Sequence, residues 1–307
     1  MTDIPMSAIA SAMAAEKPAT GTPMSRLVYP FYQMGFNQTT VARFLPDKDE
    51  ANQLPWIEQH TMRFPFGGVI NSDHDTFNDV TVSIPAMSTW GRKDKVTESL
   101  RGLWDGTADD KLIAKTYYRK VSYLMAAFIV SSPLVEKQEP GSPIRLLKLG
   151  KQLHDVIRAG LANGDFEWSP FGTDHGRDFK ITKTQQGTWA NYSTSAFAYK
   201  ERPLSKIERD AIERHGLLDL SDFVGVEPDA DVIAMVWEMY EASKLGGPFD
   251  NAKWGSHFRA FENKFGAAGE GDAASTADTS ARQAATGTVR EEVVAKLHAK
   301  TKATVNA

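Results

Sequence analysis

A chain of 307 residues, 41% of them hydrophobic and 24% charged, has the composition of an ordinary soluble globular protein and can bury a sizeable core. Its 0 cysteines exclude a disulfide framework, a thiolate zinc site and a cysteine nucleophile, and no apolar run approaches the roughly 18 residues of a membrane span. The net charge of −4 is unevenly spread: Met24 to Leu204 holds 22 Lys/Arg against 20 Asp/Glu, whereas Ser205 to Glu262 holds 6 against 12. That asymmetry suits a binding domain followed by an acidic region, and it suits equally a solvated helical surface.

Residues 1–25 read as a flexible N-terminal arm, rich in Ala, Met and Ser, with a short helix over Met6 to Ala15. The arm has no basic region ahead of an apolar core, so it does not read as a signal peptide, and the expected location is cytoplasmic. Thr39 to Leu45 predicts a strand that carries Arg43 and is ended by the turn Pro46-Asp47. Trp56 to Phe66 predicts a second strand, with Ile57, Gln59, Thr61 and Arg63 on one face and Trp56, Glu58, His60, Met62 and Phe64 on the other. Asp73-His74-Asp75 with Asp79 fails the calcium-loop pattern, because Phe77 stands where an oxygen ligand belongs. It reads as a solvated loop. Val80 to Ile84 is strand-like, and Val96 to Trp104 has helical spacing with Val96, Leu100, Leu103 and Trp104 on one face. Asp109 to Thr116 leads into the next strand.

Tyr117 to Val130 is the stretch around which the chain is organised. Leu124 to Val130 is an unbroken apolar run of a length that suits a strand buried on both faces. Ahead of it, extended backbone would point Tyr117, Arg119 and Tyr123 one way and Lys120 the other. Aromatic rings beside a guanidinium suit a single-stranded nucleic acid, whose bases stack and whose phosphates follow the cation. A core strand with a basic, aromatic entry fits the same residues.

Beyond Pro140 to Pro143, the spacing of Leu149, Leu153, Val156 or Ile157, and Leu161 predicts a helix over Leu146 to Leu161, with His154 at its surface or edge. Gly176 to Thr184 alternates, Gln185-Gln186-Gly187 turns, and Thr188 to Tyr192 returns, which predicts a hairpin. Lys180 and Lys183 sit on its outgoing strand, and Trp189 and Tyr192 on its returning one. The two aromatics are three apart, so a regular strand faces them opposite ways and only one of them stacks unless a bulge intervenes. Further on, Ser205 with Glu208 forms a capping box, Pro228 to Ser243 carries an apolar stripe through Val232, Val236, Met239 and Tyr240, and Trp254 to Phe265 is aromatic-rich. Residues 266–288 read as a disordered linker and 289–307 as a short C-terminal helix and tail. No phosphate-cradling loop, nucleophile elbow or paired-histidine motif occurs, so no enzyme activity is expected.

Four pieces in this order resemble one family. They are Tyr29-Pro30-Phe31 ahead of Val41-Ala42-Arg43-Phe44-Leu45-Pro46, then Leu54-Pro55-Trp56-Ile57-Glu58, then Tyr118-Arg119-Lys120-Val121-Ser122-Tyr123, and Gly176-Arg177-Asp178-Phe179 through Tyr192-Ser193. The chain is similar over Tyr29 to Ile212 to the single-stranded-DNA-binding, helix-destabilising proteins of T-even and cyanophage-type bacteriophages. The resemblance implies a mainly β fold with α additions, in which an OB-fold (five-stranded barrel) core is followed by C-terminal helices. It places that core at 26–203 with an inserted subdomain at about 66–110, and an acidic helical region at 204–265. It implies sequence-independent binding and protection of single-stranded DNA during phage DNA replication, recombination and repair, without catalysis, in the cytoplasm of a bacterial host. Expected partners are single-stranded DNA, with further copies of the chain and replication proteins as candidates, and no membrane. An RNA-binding or replication-scaffold module on the same barrel is the alternative. Carried over by position, Arg43, Arg119 and Lys120 contact phosphates, while Tyr123, Trp189 and Tyr192 stack on bases. Trp56, Arg63, Tyr117, Lys180 and Lys183 complete the expected nucleic-acid-binding set, with no metal ligand.

The chain departs from the family in three places. Some members hold a zinc ion with one histidine and three cysteines; with 0 cysteines here, no cofactor is expected and apolar packing must hold the 66–110 subdomain. The N-terminal arm lacks the family's basic cluster. The C-terminus lacks its long acidic tail, and the acid lies instead in the helices between Ser205 and Asp250.

Overall fold

The computed structural model describes residues 27–73, 75–136, 141–163 and 166–262. The expected arm, linker and C-terminal tail lie outside these residues, as does His74. Eleven strands and six α-helices make up the described chain. In order they are β1 (Gln38–Phe44), β2 (Ile57–Phe66), β3 (Val69–Ile70), β4 (Val80–Pro85), α1 (Lys95–Ser99), α2 (Ala108–Tyr117), β5 (Lys120–Ser131) and β6 (Ile144–Gly150). There follow α3 (Lys151–Ala162), β7 (Arg177–Gln186), β8 (Trp189–Asn191), β9 (Ala196–Glu201), α4 (Lys206–His215), α5 (Ala230–Lys244), β10 (Phe249–Asp250), α6 (Asn251–Trp254) and β11 (Ala260–Glu262).

Nine strands form one antiparallel sheet in the order β11-β4-β2-β5-β1-β7-β8, with β6 added to β5 and β9 to β7. The fold is therefore mainly β with helices. Among the described residues no pair joins the two ends of this sheet, so it is open where a five-stranded barrel was expected. β10 and β3 pair separately, in parallel.

β5 is the hub, and its sequence explains why. On one edge it pairs with β2 through Lys120 to Leu124 and then with β1 through Ala127 to Ser131, while β6 runs along its other edge. Leu124, Ala126 and Phe128 pack on one side with Leu45, Ile144 and Leu146; Tyr123, Met125 and Ala127 pack on the other with Phe44, Leu147 and Leu149. Burial on both faces needs the continuous apolar run that the sequence shows.

β2 alternates as expected: His60, Met62, Phe64 and Phe66 are buried and the intervening residues half-buried. Its inward residues join Val80, Val82, Ile84, Val96 and Leu100 with Val236, Met239 and Tyr240 of α5, Phe249 and Trp254. Phe66, Phe249 and Trp254 form a triangle of rings with centroids 5.5 to 5.6 Å apart, and Tyr117 meets Phe64 at 5.7 Å and Tyr240 at 5.1 Å. Aromatic packing thus joins the 66–110 segment to helices that the chain reaches much later.

Two predicted elements differ. Residues 108–117 are helix, opened by a capping box in which Thr107 and Asp110 bond each other's backbone, so Tyr117 ends a helix and does not begin the strand. Ile144–Gly150 is strand where the apolar spacing predicted helix, and α3 starts only at Lys151. An apolar run buried on both faces carries no period by which strand and helix are told apart. His154 is correspondingly buried, at 2% exposure, and not at the surface. The Ser205–Glu208 capping box forms as read. The hairpin turns with Gly187 at φ 63°, a left-handed position that glycine takes without strain.

Candidate nucleic-acid interface

Two short connections build one basic, aromatic cleft of about 330 Å³, lined by Arg92, Lys93, Arg101, Trp104, Tyr118 and Arg119 together with Asp94, Thr97 and Glu98. On one wall, a 3-10 turn over Met87–Trp90 is closed by Gly91 at φ 69°, and the chain emerges with Arg92 and Lys93 exposed. Asp94 then caps α1, accepting from the amides of Val96 at 3.0 Å and Thr97 at 3.1 Å. Its carboxylate is committed to backbone. A second 3-10 turn, Arg101–Asp105, presents Arg101 and Trp104.

The other wall is the handover from α2 to β5. Tyr117 points into the core, where its hydroxyl meets Ser243 Oγ at 3.0 Å. Tyr118 is the extended residue after the helix and turns outward, 37% exposed. Its ring meets Trp104, itself 36% exposed, edge to face with centroids 5.5 Å apart, and the Arg119 guanidinium lies 6.0 Å from it. Burial, and after it the neighbouring Arg119 charge, hold the His60 imidazole below its ordinary range. Half-exposed rings among guanidinium and ammonium groups can stack bases and neutralise phosphates at once.

Of the residues expected at the interface, Arg119 lines this cleft and Lys120 adjoins it. Lys120 opposes Thr61 across β2, so it shares a face with Arg63; both are half-buried. Lys180 is exposed on β7, opposite Ala196 of β9, and Trp189 is half-buried on β8, opposite Gln186 six residues further along β7; neither lines the cleft, and the pairing does not bring the two together.

The remaining expected residues are buried, except Lys183, which is half-buried. Arg43 is fully buried and donates from Nη2 to the Gly172 carbonyl at 2.6 Å; burial and nearby Arg202 depress its pKa. Tyr192 is 1% exposed against Phe31, and burial pushes its phenol well above the ordinary range. Tyr123 stacks on the His154 ring at 3.4 Å and 6°, with Trp56 edge-on to the same ring at 4.9 Å; both are 8% exposed. Lys183 is held over the carbonyls of Tyr32 and Met34 at 2.6 and 2.7 Å, and burial lowers its pKa. These side chains, with Tyr117, shape the scaffold. Of the two hairpin aromatics, Tyr192 is buried just beyond the end of β8 and Trp189 is half-buried within it.

Sequence reasoning missed Arg92, Lys93, Arg101, Trp104 and Tyr118 as one group. The available signal was the density of cations from Arg92 to Arg101, followed by a tryptophan that helical spacing assigned to a buried face. Among the described residues, no helix is long and apolar enough to cross a membrane.

A family model described as gp32 DNA binding protein like matches residues 37–228, more than half of the chain and every residue lining the cleft. No curated protein matches.

Proposed function

The chain belongs to the gp32 DNA-binding-protein-like family, and on that footing we propose that it binds single-stranded DNA without sequence preference, in the cleft between α1 and the start of β5. The observation that carries this is the pairing of Trp104 and Tyr118 among Arg92, Lys93, Arg101 and Arg119. Rings that stack any base, beside cations that read only phosphate, favour a single strand and impose no base code. Lys120 and Arg63 extend the phosphate track along the β2–β5 face, and Lys180 and Trp189 are proposed as separate contacts at different points along β7 and β8.

The proposed role is non-catalytic coating and protection of single strands during phage DNA replication, recombination and repair, with replication proteins and further copies of the chain as partners. A barrel-like OB core built on β1, β2, β5, β6 and β7 is the proposed scaffold. Its support is the way β5 serves β2 and β1 in succession on one edge and β6 on the other, as a single long strand does where a sheet curls.

Tryptophan quenching or anisotropy with a short oligo-dT, followed across a salt series, tests the reading. Affinity is expected to fall with a log–log slope of about −2 to −4, at roughly −0.7 per phosphate neutralised, and a matched duplex is expected to compete poorly. A flat salt response, or duplex binding as tight as single-strand binding, overturns it. Competition by oligo-U reports the preference between DNA and RNA.

A further inference from the structure

We propose that His60 is a positioning residue of the single-strand site, and that it takes up a proton as a phosphate settles on Arg119, so that mild acid tightens DNA binding. The inference rests on the cleft being that site. His60 is buried on β2 with both ring nitrogens engaged. Nδ1 lies 2.7 Å from Ser88 Oγ, and Nε2 lies 3.3 Å from Glu58 Oε2.

Both walls of the cleft are fastened at this residue. Besides the Ser88 contact, Thr89 Oγ1 accepts from the His60 amide at 2.9 Å and donates to its carbonyl at 3.2 Å, and the Ala86 amide donates to the same carbonyl at 2.8 Å. The amide of Arg92 then closes the turn on the Met87 carbonyl at 3.1 Å. The bonds at His60 therefore fix where Arg92, which pairs with Glu227 at 3.0 Å, and Lys93 leave the sheet. On the other side, His60 pairs with Val121 of β5, two residues past Arg119, and the Arg119 charge reaches the ring.

This cage suits the imidazole in both protonation states. A carboxylate only accepts, so the neutral ring carries its hydrogen on Nε2, towards Glu58, and accepts the Ser88 hydroxyl at Nδ1. Once protonated it donates from both nitrogens, and the hydroxyl turns round. No bond is lost. Burial first, and Arg119 second, keep the ring neutral in the free chain, whereas Glu58 and Ser88 favour the charged form. Other polar neighbours bear on it less directly. Thr89 bonds only its backbone, Lys120 opposes Thr61 and so belongs to the other face of the sheet, and Tyr123 with His154 stacked on it lies beyond Glu58. Arg119 thus opposes protonation and is also a cation of the cleft. A phosphate on that guanidinium cancels its field at the ring, and a ring already buried loses little more water when DNA covers the cleft. The bound state then holds the proton more tightly than the free state. By linkage, affinity rises as pH falls through and below the ring's ordinary 6.5, and the gain is lost as pH rises.

The test uses the full chain with isotope-labelled histidine and a short oligo-dT, whose bases carry no group that titrates in mild acid. At fixed salt the parent is expected to bind about 2- to 5-fold more tightly at pH 5.5 than at pH 8, the effect of a rise of roughly half a pH unit in the ring's midpoint. In NMR titrations the His60 midpoint is expected to move up when oligo-dT is added. His60→Gln is expected to lose the pH response of binding, and His175→Gln, at an exposed ring outside the cleft, to keep it. Arg119→Gln is expected to raise the His60 midpoint in the free protein and to abolish its further movement with DNA. A His60 midpoint that oligo-dT leaves in place overturns the proposal, and so does a pH response kept in full by His60→Gln; should that variant not fold, the NMR titration of the parent decides. Failure of the cleft reading itself shows differently: Arg92→Gln combined with Arg101→Gln and Arg119→Gln then leaves binding and its salt slope unchanged.

Discussion

Replacing His154 by phenylalanine should hold the fold at neutral pH and remove much of its sensitivity to mild acid. His154 is 2% exposed, stacked on Tyr123 and edge-on to Trp56, and neither ring nitrogen has a hydrogen-bond partner among the described residues. Burial, with the Arg158 charge next in weight, pushes its pKa from 6.5 down to about 4. The folded chain therefore keeps this ring neutral where the unfolded chain protonates it. Stability is complete above pH 6.5 and drains as pH falls towards 4, because the unfolded state then binds the extra proton. A gap of about 2.5 pH units corresponds to roughly 3 kcal/mol at the acid end, of which about 2 kcal/mol is spent by pH 5. Phenylalanine keeps a flat ring against Tyr123 and has no nitrogen to desolvate, so at pH 7.5 it should be neutral or stabilising by about 1 kcal/mol. Urea unfolding of both proteins at pH 7.5, 6 and 5 measures the difference. The variant should lose at least 1 kcal/mol less than the parent across that range. Parallel losses in the two proteins would refute the reasoning, and so would a variant that is unfolded at pH 7.5.

Arg92→Gln, Arg101→Gln and Arg119→Gln together should cut the salt slope of oligo-dT binding by about 2, at roughly 0.7 per lost phosphate contact, while the melting temperature stays within a few degrees; anisotropy and thermal denaturation check the two halves. Trp104→Ala and Tyr118→Ala should each weaken binding by about 1–3 kcal/mol with the fold retained, whereas Tyr123→Ala and Tyr192→Ala should lower stability by about 3–5 kcal/mol as buried rings are lost. Normal binding by Trp104→Ala would remove that ring from the interface. Gly176→Ala should destabilise by about 2–3 kcal/mol through overpacking, because a Cβ there would lie 2.0 Å from Arg43 Nη2 and 2.4 Å from the Gly172 carbonyl. Chemical denaturation decides it, and an unchanged midpoint would show that Arg43 has room to move.

By itself the sequence determined the features whose cause lies within a few residues. The Ser205–Glu208 capping box, the alternation of β2, the Gly187 hairpin and the apolar stripe of α5 all form as read. Each is a local hydrogen-bond exchange, a left-handed position open to glycine, or a burial period matched to one element. The apolar hub of β5 was legible for the same reason, since a strand covered on both faces must be apolar throughout.

Tertiary structure alone decided which cations and rings face water. Arg43 and Arg92 are the same residue type, yet one lies under the Gly172 carbonyl and the other at the mouth of a cleft. Tyr117 and Tyr118 are neighbours, but the end of a helix sends one to Ser243 and the other to Trp104. The cleft joins a turn at Arg92, a second turn at Arg101 and a strand entry at Tyr118, and Glu227 reaches it from more than a hundred residues beyond. No local period encodes such a meeting. Burial of a side chain is set by what packs over it, and here the covering helices come from the far end of the described chain.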